Sequence, residues 1–84
     1  MGEVEIGKVT DFFAKPVVAG IDLNGALRTG DRIHIKGSST DMMLTVESMQ
    51  IERVNIAEGK PGDVVGIKVP DRVRQGDTVY KVTE

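Results

Sequence analysis

Three Gly-Asp pairs, Gly30-Asp31, Gly62-Asp63 and Gly76-Asp77, each stand directly ahead of residues that alternate apolar and polar. Glycine reaches positive φ without steric cost, and aspartate can hydrogen-bond the backbone of the turn it opens. Each pair therefore reads as a tight turn feeding a half-buried strand. Leu27-Arg28-Thr29-Gly30-Asp31-Arg32-Ile33-His34-Ile35 is echoed by Val73-Arg74-Gln75-Gly76-Asp77-Thr78-Val79-Tyr80-Lys81-Val82, so one turn-and-strand element is used twice. A phosphate-cradling glycine would need a helix behind it, and strands follow here.

The same reading along the chain gives six strands. They run from Ile6 to Phe13, Val17 to Leu23, Arg32 to Lys36, Met43 to Ala57, Val64 to Val69 and Thr78 to Val82. Ala14-Lys15-Pro16 turns the first strand, since proline fixes φ and removes a donor, and Asn24-Gly25 offers a sharp reversal after the second. Between Met43 and Ala57 the apolar phase shifts twice, from Leu44 and Val46 to Met49 and Ile51 and then to Val54 and Ile56, as bulges in a coiling strand would produce. Gly66 inside a strand marks a close backbone approach. No segment has a helical period. Six strands with tight turns close most economically into a small barrel, which removes exposed edges. Residues 1–84 are expected to form one domain, with about 6–82 in the barrel, because so short a chain cannot bury two cores.

Composition narrows the chemistry. Aromatic residues make up only 4% of the chain, so the core must be built from Val, Ile, Leu and Met. There is no cysteine, hence no disulfide, thiolate metal site or cysteine nucleophile, and a reducing cytoplasm is the expected setting. No apolar run approaches a membrane span, and Met1 to Glu5 lacks the features of a secretory signal. The net charge of −2 gives no global field for nucleic acid, so any such contact needs a local patch. The most basic short stretch holds Lys68, Arg72 and Arg74, opposed only by Asp71. His34 falls on the outward side between Ile33 and Ile35, with no evident partner, and reads as a solvated imidazole. Ser38-Ser39-Thr40 reads as a turn, carboxylates are spread singly, and Met42, Met43 and Met49 read as core or loop filler. No enzymatic activity, cofactor, metal or nucleotide is expected.

The residues also resemble a family. Gly7-Lys8-Val9, Val18-Ala19, Leu27 with Gly30-Asp31, Val46 with Ser48-Met49-Gln50-Ile51, Ala57, Gly62-Asp63-Val64-Val65-Gly66-Ile67 and Gly76-Asp77 together are similar to the second domain of translational GTPases such as elongation factor Tu. Closer still, the string resembles small stand-alone elongation factor-like proteins and the C-terminal module of collagenase-like peptidases, for which Ser48 to Glu52 is a strong marker. The resemblance implies a closed six-stranded Greek-key β-barrel and a binding domain without chemistry. The chain has no Gly-x4-Gly-Lys-Ser/Thr loop and no room for a GTPase domain, so it is not itself a translational GTPase. It departs from the tRNA-binding members at Ala14-Lys15-Pro16 and at Lys68.

Two functions follow as expectations. The first is a cytoplasmic binding domain associated with translation through RNA, the ribosome or a protein of that apparatus. The second is a protein-interaction module that docks a separately encoded peptidase-like or RNA-modifying enzyme. Under either, Lys15, Lys68, Arg72 and Arg74 are the expected contact residues, lining a surface around the first turn and the Gly66 strand.

Overall fold

A computed structural model describes residues 2–14 and 17–83, and every regular element in them is a β-strand. The strands are β1 (Gly2–Ala14), β2 (Val17–Leu23), β3 (Leu27–Arg28), β4 (Arg32–Lys36), β5 (Asp41–Thr45), β6 (Met49–Ile51), β7 (Val54–Ile56), β8 (Glu58–Gly59), β9 (Val64–Lys68) and β10 (Thr78–Thr83). No helix in the described residues is long and apolar enough to cross a membrane.

The closed six-stranded barrel is not what forms. Eight strands lie in one antiparallel sheet of linear order β5-β4-β10-β1-β2-β9-β6-β7, and β3 pairs with β8 in a separate ribbon. The stretch read as one strand from Met43 to Ala57 is three strands. Its second phase shift is a turn at Glu52 and Arg53, both at positive φ (49° and 67°). The resulting three-residue strands β6 and β7 pair with each other, and β7 and β5 end the sheet. Asn24-Gly25 is likewise a bend and not a hairpin. Both of its N–H groups donate to the Ile6 carbonyl, at 2.7 and 3.2 Å, while β2 pairs with β1 and β9.

The sheet is strongly coiled. A straight 13-residue strand such as β1 would run roughly 40 Å, yet the longest dimension of the molecule is 32 Å. Register shifts between Glu5 and Gly7 and between Val9 and Asp11 supply the bends. Coiling lets one side of the sheet enclose a single apolar cluster in which Ile21, Ile33, Ile35 and Ile67 are wholly buried, with Leu23, Leu27, Met49 and Val79 beside them.

The Gly-Asp turns explain how the coil is pinned. Gly30, Gly62 and Gly76 all have φ of 94°, the conformation a type II turn requires at its third residue. Each aspartate N–H donates to the carbonyl three residues earlier, on Arg28, Lys60 and Arg74, at 3.0–3.1 Å. Its carboxylate accepts the N–H of that same residue, at 2.9–3.0 Å. Each turn then grips one buried residue at both polar atoms. Gly30 donates to Val46 O and Val46 donates to Asp31 O, Gly62 and Asp63 hold Leu23 in the same way, and Gly76 and Asp77 hold Val9, all at 2.7–2.9 Å. The element seen twice in the sequence is thus used three times. In the third copy Gly59 replaces Leu27 or Val73, because a Cβ there would stand 2.6 Å from Leu23 Cδ1.

Candidate docking surface

Lys68 closes β9, and the alternation that buries Val65 and Ile67 turns its side chain outward. It pairs with Val18 of β2, which in turn pairs with Phe13 of β1, so Lys68, Val18 and the 57% exposed Phe13 form a row across the outer side of the sheet. Two depressions meet at Lys68. The larger, about 560 Å³, is lined by Val17, Leu44, Val69 and Pro70 with Thr45 and Glu47, and the smaller by Val18, Ser48, Gln50 and Gly66. The larger one therefore has an apolar floor with one cation and one anion at its rim, the mixture found at protein-binding clefts. Gly66 is the floor of the smaller groove. A Cβ there would meet Val18 Cγ1 at 3.3 Å and the Gln50 carbonyl only at 3.9 Å, so the expected close backbone approach is absent. A close backbone approach is found instead at Gly7 of β1, whose Cβ would stand 2.5 Å from the Asp22 carbonyl.

The four basic residues singled out from the sequence have different settings. Lys15 lies outside the described residues. Arg72 places its guanidinium 5.9 Å from the Phe12 ring. That ring packs against the core while Phe13 points out, so Arg72 and Lys68 approach opposite sides of the sheet. Arg74 occupies the first position of the third Gly-Asp turn, as Arg28 and Lys60 do in the other two, which gives its backbone a structural role. Among the described residues, the ion pairs involve Arg28, Lys36, Lys81 and His34 and include none of Lys68, Arg72 and Arg74.

His34 is not the free imidazole its sequence setting suggests. Its side chain is 12% exposed, with Nδ1 bonded to Glu3 Oε2 and Nε2 bonded to Asp41 Oδ1. The hydrogen bonds to Asp41 and Glu3 raise its pKa above the ordinary 6.5, and the bond from His34 holds Asp41 below 3.8. Strand pairing brings Glu3 to His34 from 31 positions away, and the β4–β5 hairpin brings Asp41 from seven, placements that alternation alone does not reveal. With both ring nitrogens engaged, the imidazole has no free nitrogen to offer a substrate.

The sequence matches no protein-family model. It is 41% identical over 83 residues to an uncharacterized protease of Methanocaldococcus jannaschii, covering 98% of this chain and 20% of that protein. It is 28% identical over 81 residues to a collagenase of Porphyromonas gingivalis, again over 20% of that protein. The chain thus spans about a fifth of the length of these relatives. In three dimensions it superposes on the C-terminal domain of a putative U32 peptidase of Geobacillus thermoleovorans with a TM-score of 0.87 and 17% identity, covering 93% of this chain and 91% of that one.

These relatives overturn the expectation of a translation-associated, elongation factor-like, RNA-binding domain, because they are named proteases and collagenases. The physical reason lies in which residues carried the resemblance. Gly30-Asp31, Gly62-Asp63 and Gly76-Asp77 make the turns, and Val9, Val46, Val65 and Ile67 fill the core. Such positions specify a fold, and a fold hosts many functions. Over nearly its whole length, the chain is homologous to a segment of collagenase-like proteases and shares the fold of a U32 peptidase C-terminal domain.

Proposed function

We propose that this chain is a non-catalytic interaction module, a single domain that docks a peptidase-like enzyme through the cleft beside Lys68. The observation that carries the reading is the extent of the similarity. Nearly all of this chain aligns with only a fifth of a protease, so the reacting groups of that protease have four-fifths of its length in which to reside. The engagement of His34 by two carboxylates supports the non-catalytic part. The apolar floor of Val17, Leu44, Val69 and Pro70, with Lys68 and Glu47 to fix orientation, supports the docking part.

The test is titration calorimetry of this chain against the Methanocaldococcus jannaschii protease lacking its similar segment. Saturable binding is expected, weakened at least about tenfold by Leu44→Asp or Lys68→Glu, as for residues central to an interface. Binding indifferent to both changes would sink the cleft, and peptide hydrolysis by the purified chain alone would sink the non-catalytic assignment.

A further inference from the structure

Edge strand β5 is tied to the sheet by a side-chain relay that crosses three other strands. Asp41 at the start of β5 bonds His34 of β4, and His34 bonds Glu3 of β1, which reaches it across β10. The other Glu3 oxygen faces Lys36 Nζ at 3.9 Å, and Lys36 lies over the Tyr80 ring of β10 at 5.8 Å. Strand pairing also places Tyr80 and Met43 on either side of His34, with Glu5 beyond Tyr80, and alternation puts Arg32 and Lys36 on the same side as His34. The carboxylates that contact the imidazole directly are Glu3 and Asp41.

Each carboxylate accepts a hydrogen bond, so both contacts together need an N–H at both ring nitrogens, which only the imidazolium has. A neutral ring keeps one N–H and turns a lone pair toward the other carboxylate. Asp41, whose side chain is 77% exposed against 31% for Glu3, can exchange this partner for water at less cost, so the contact to Asp41 parts first.

We propose that Glu3, His34 and Asp41 form a proton-operated latch on β5: the charged imidazole holds the edge strand to the sheet, and loss of its proton releases the strand's Asp41 end. The raised His34 pKa keeps the latch closed beyond the range of a free imidazole. What opens is the edge of β4 that β5 covers, beginning at the pair of Lys36 with Asp41.

The experiment is amide hydrogen exchange of β5 against β9 between pH 5.5 and 8.5, corrected for intrinsic exchange rates, with His34 titrated by NMR in the same samples. Protection of β5 relative to β9 is expected to fall by about two- to fivefold through the His34 titration, the range of a partly exposed ion pair. In His34→Gln the ratio is expected to be independent of pH. Asp41→Asn, a change at an exposed position, should lower the His34 pKa and flatten the ratio too. A ratio that stays flat through the wild-type titration, or falls equally in Asp41→Asn, would overturn the latch.

Discussion

Asp77 fills the space where a side chain at Gly37 would stand: a Cβ there would overlap Asp77 Oδ1. The carboxylate cannot easily move aside, because Asp77 is only 5% exposed and its Oδ2 accepts the Arg74 N–H at 2.9 Å. Gly37→Ala is therefore expected to lose about 2–4 kcal/mol by overpacking and by disturbing a buried, hydrogen-bonded carboxylate. Chemical denaturation measures this, and an unchanged midpoint would mean that the loop from Gly37 to Thr40 rearranges freely.

Strain without a clash should behave differently. Nothing lies within 4 Å of a Cβ built on Gly30, Gly62 or Gly76, yet all three have φ of 94°. Gly30→Val and Gly76→Val are expected to cost about 1–3 kcal/mol from backbone strain, and Gly76→Asn distinctly less, since asparagine tolerates positive φ. Equal losses for valine and asparagine in thermal melts would point to a cause other than φ.

The three equivalent turns predict a ranking. Replacing the aspartate by alanine removes the same acceptor from Arg28, Lys60 or Arg74, but Asp77 is buried whereas Asp31 and Asp63 are partly exposed. Asp77→Ala should cost about 1–3 kcal/mol, and the other two less, because water can replace their carboxylates. A reversed order in urea midpoints would count against this account of the turns.

Stability should depend on pH through His34 and Asp41. The folded pKa of His34 is raised, so its contribution is complete below 6.5 and is lost as pH climbs through the folded value. That of Asp41 is lowered, so its contribution is complete above 3.8 and is lost as pH falls through the folded value. The pair thus supports the fold most between about pH 4 and 6.5. The midpoint of wild type minus that of His34→Gln should be greatest there and shrink toward pH 9; a constant difference would show that His34 acts only by packing.

Much of this architecture could be read from residue order. Arg32–Lys36 and Val17–Leu23 fall where alternation places them, the core is the expected Val, Ile, Leu and Met, and Gly30 and Gly76 adopt the positive φ that their turns demand. These are local consequences, set by φ preferences and by a side-chain period of two. The functional outcome was less legible, because the recognisable residues are turn and core positions, which specify a fold and not a use.

Residue order alone specifies an all-β chain paced by Gly-Asp turns. Which buried residue each turn grips emerges only in three dimensions, as do the turn at the second phase shift between Met43 and Ala57, the ends of the sheet at β5 and β7, and the meeting of Glu3 with His34 across β10. All of these depend on pairings between residues far apart in the chain, which alternation constrains to a face but not to a partner. Gly59 shows the same limit: it hides the third copy of the repeat, and its close contact with Leu23 exists only once β2 and β8 are packed together.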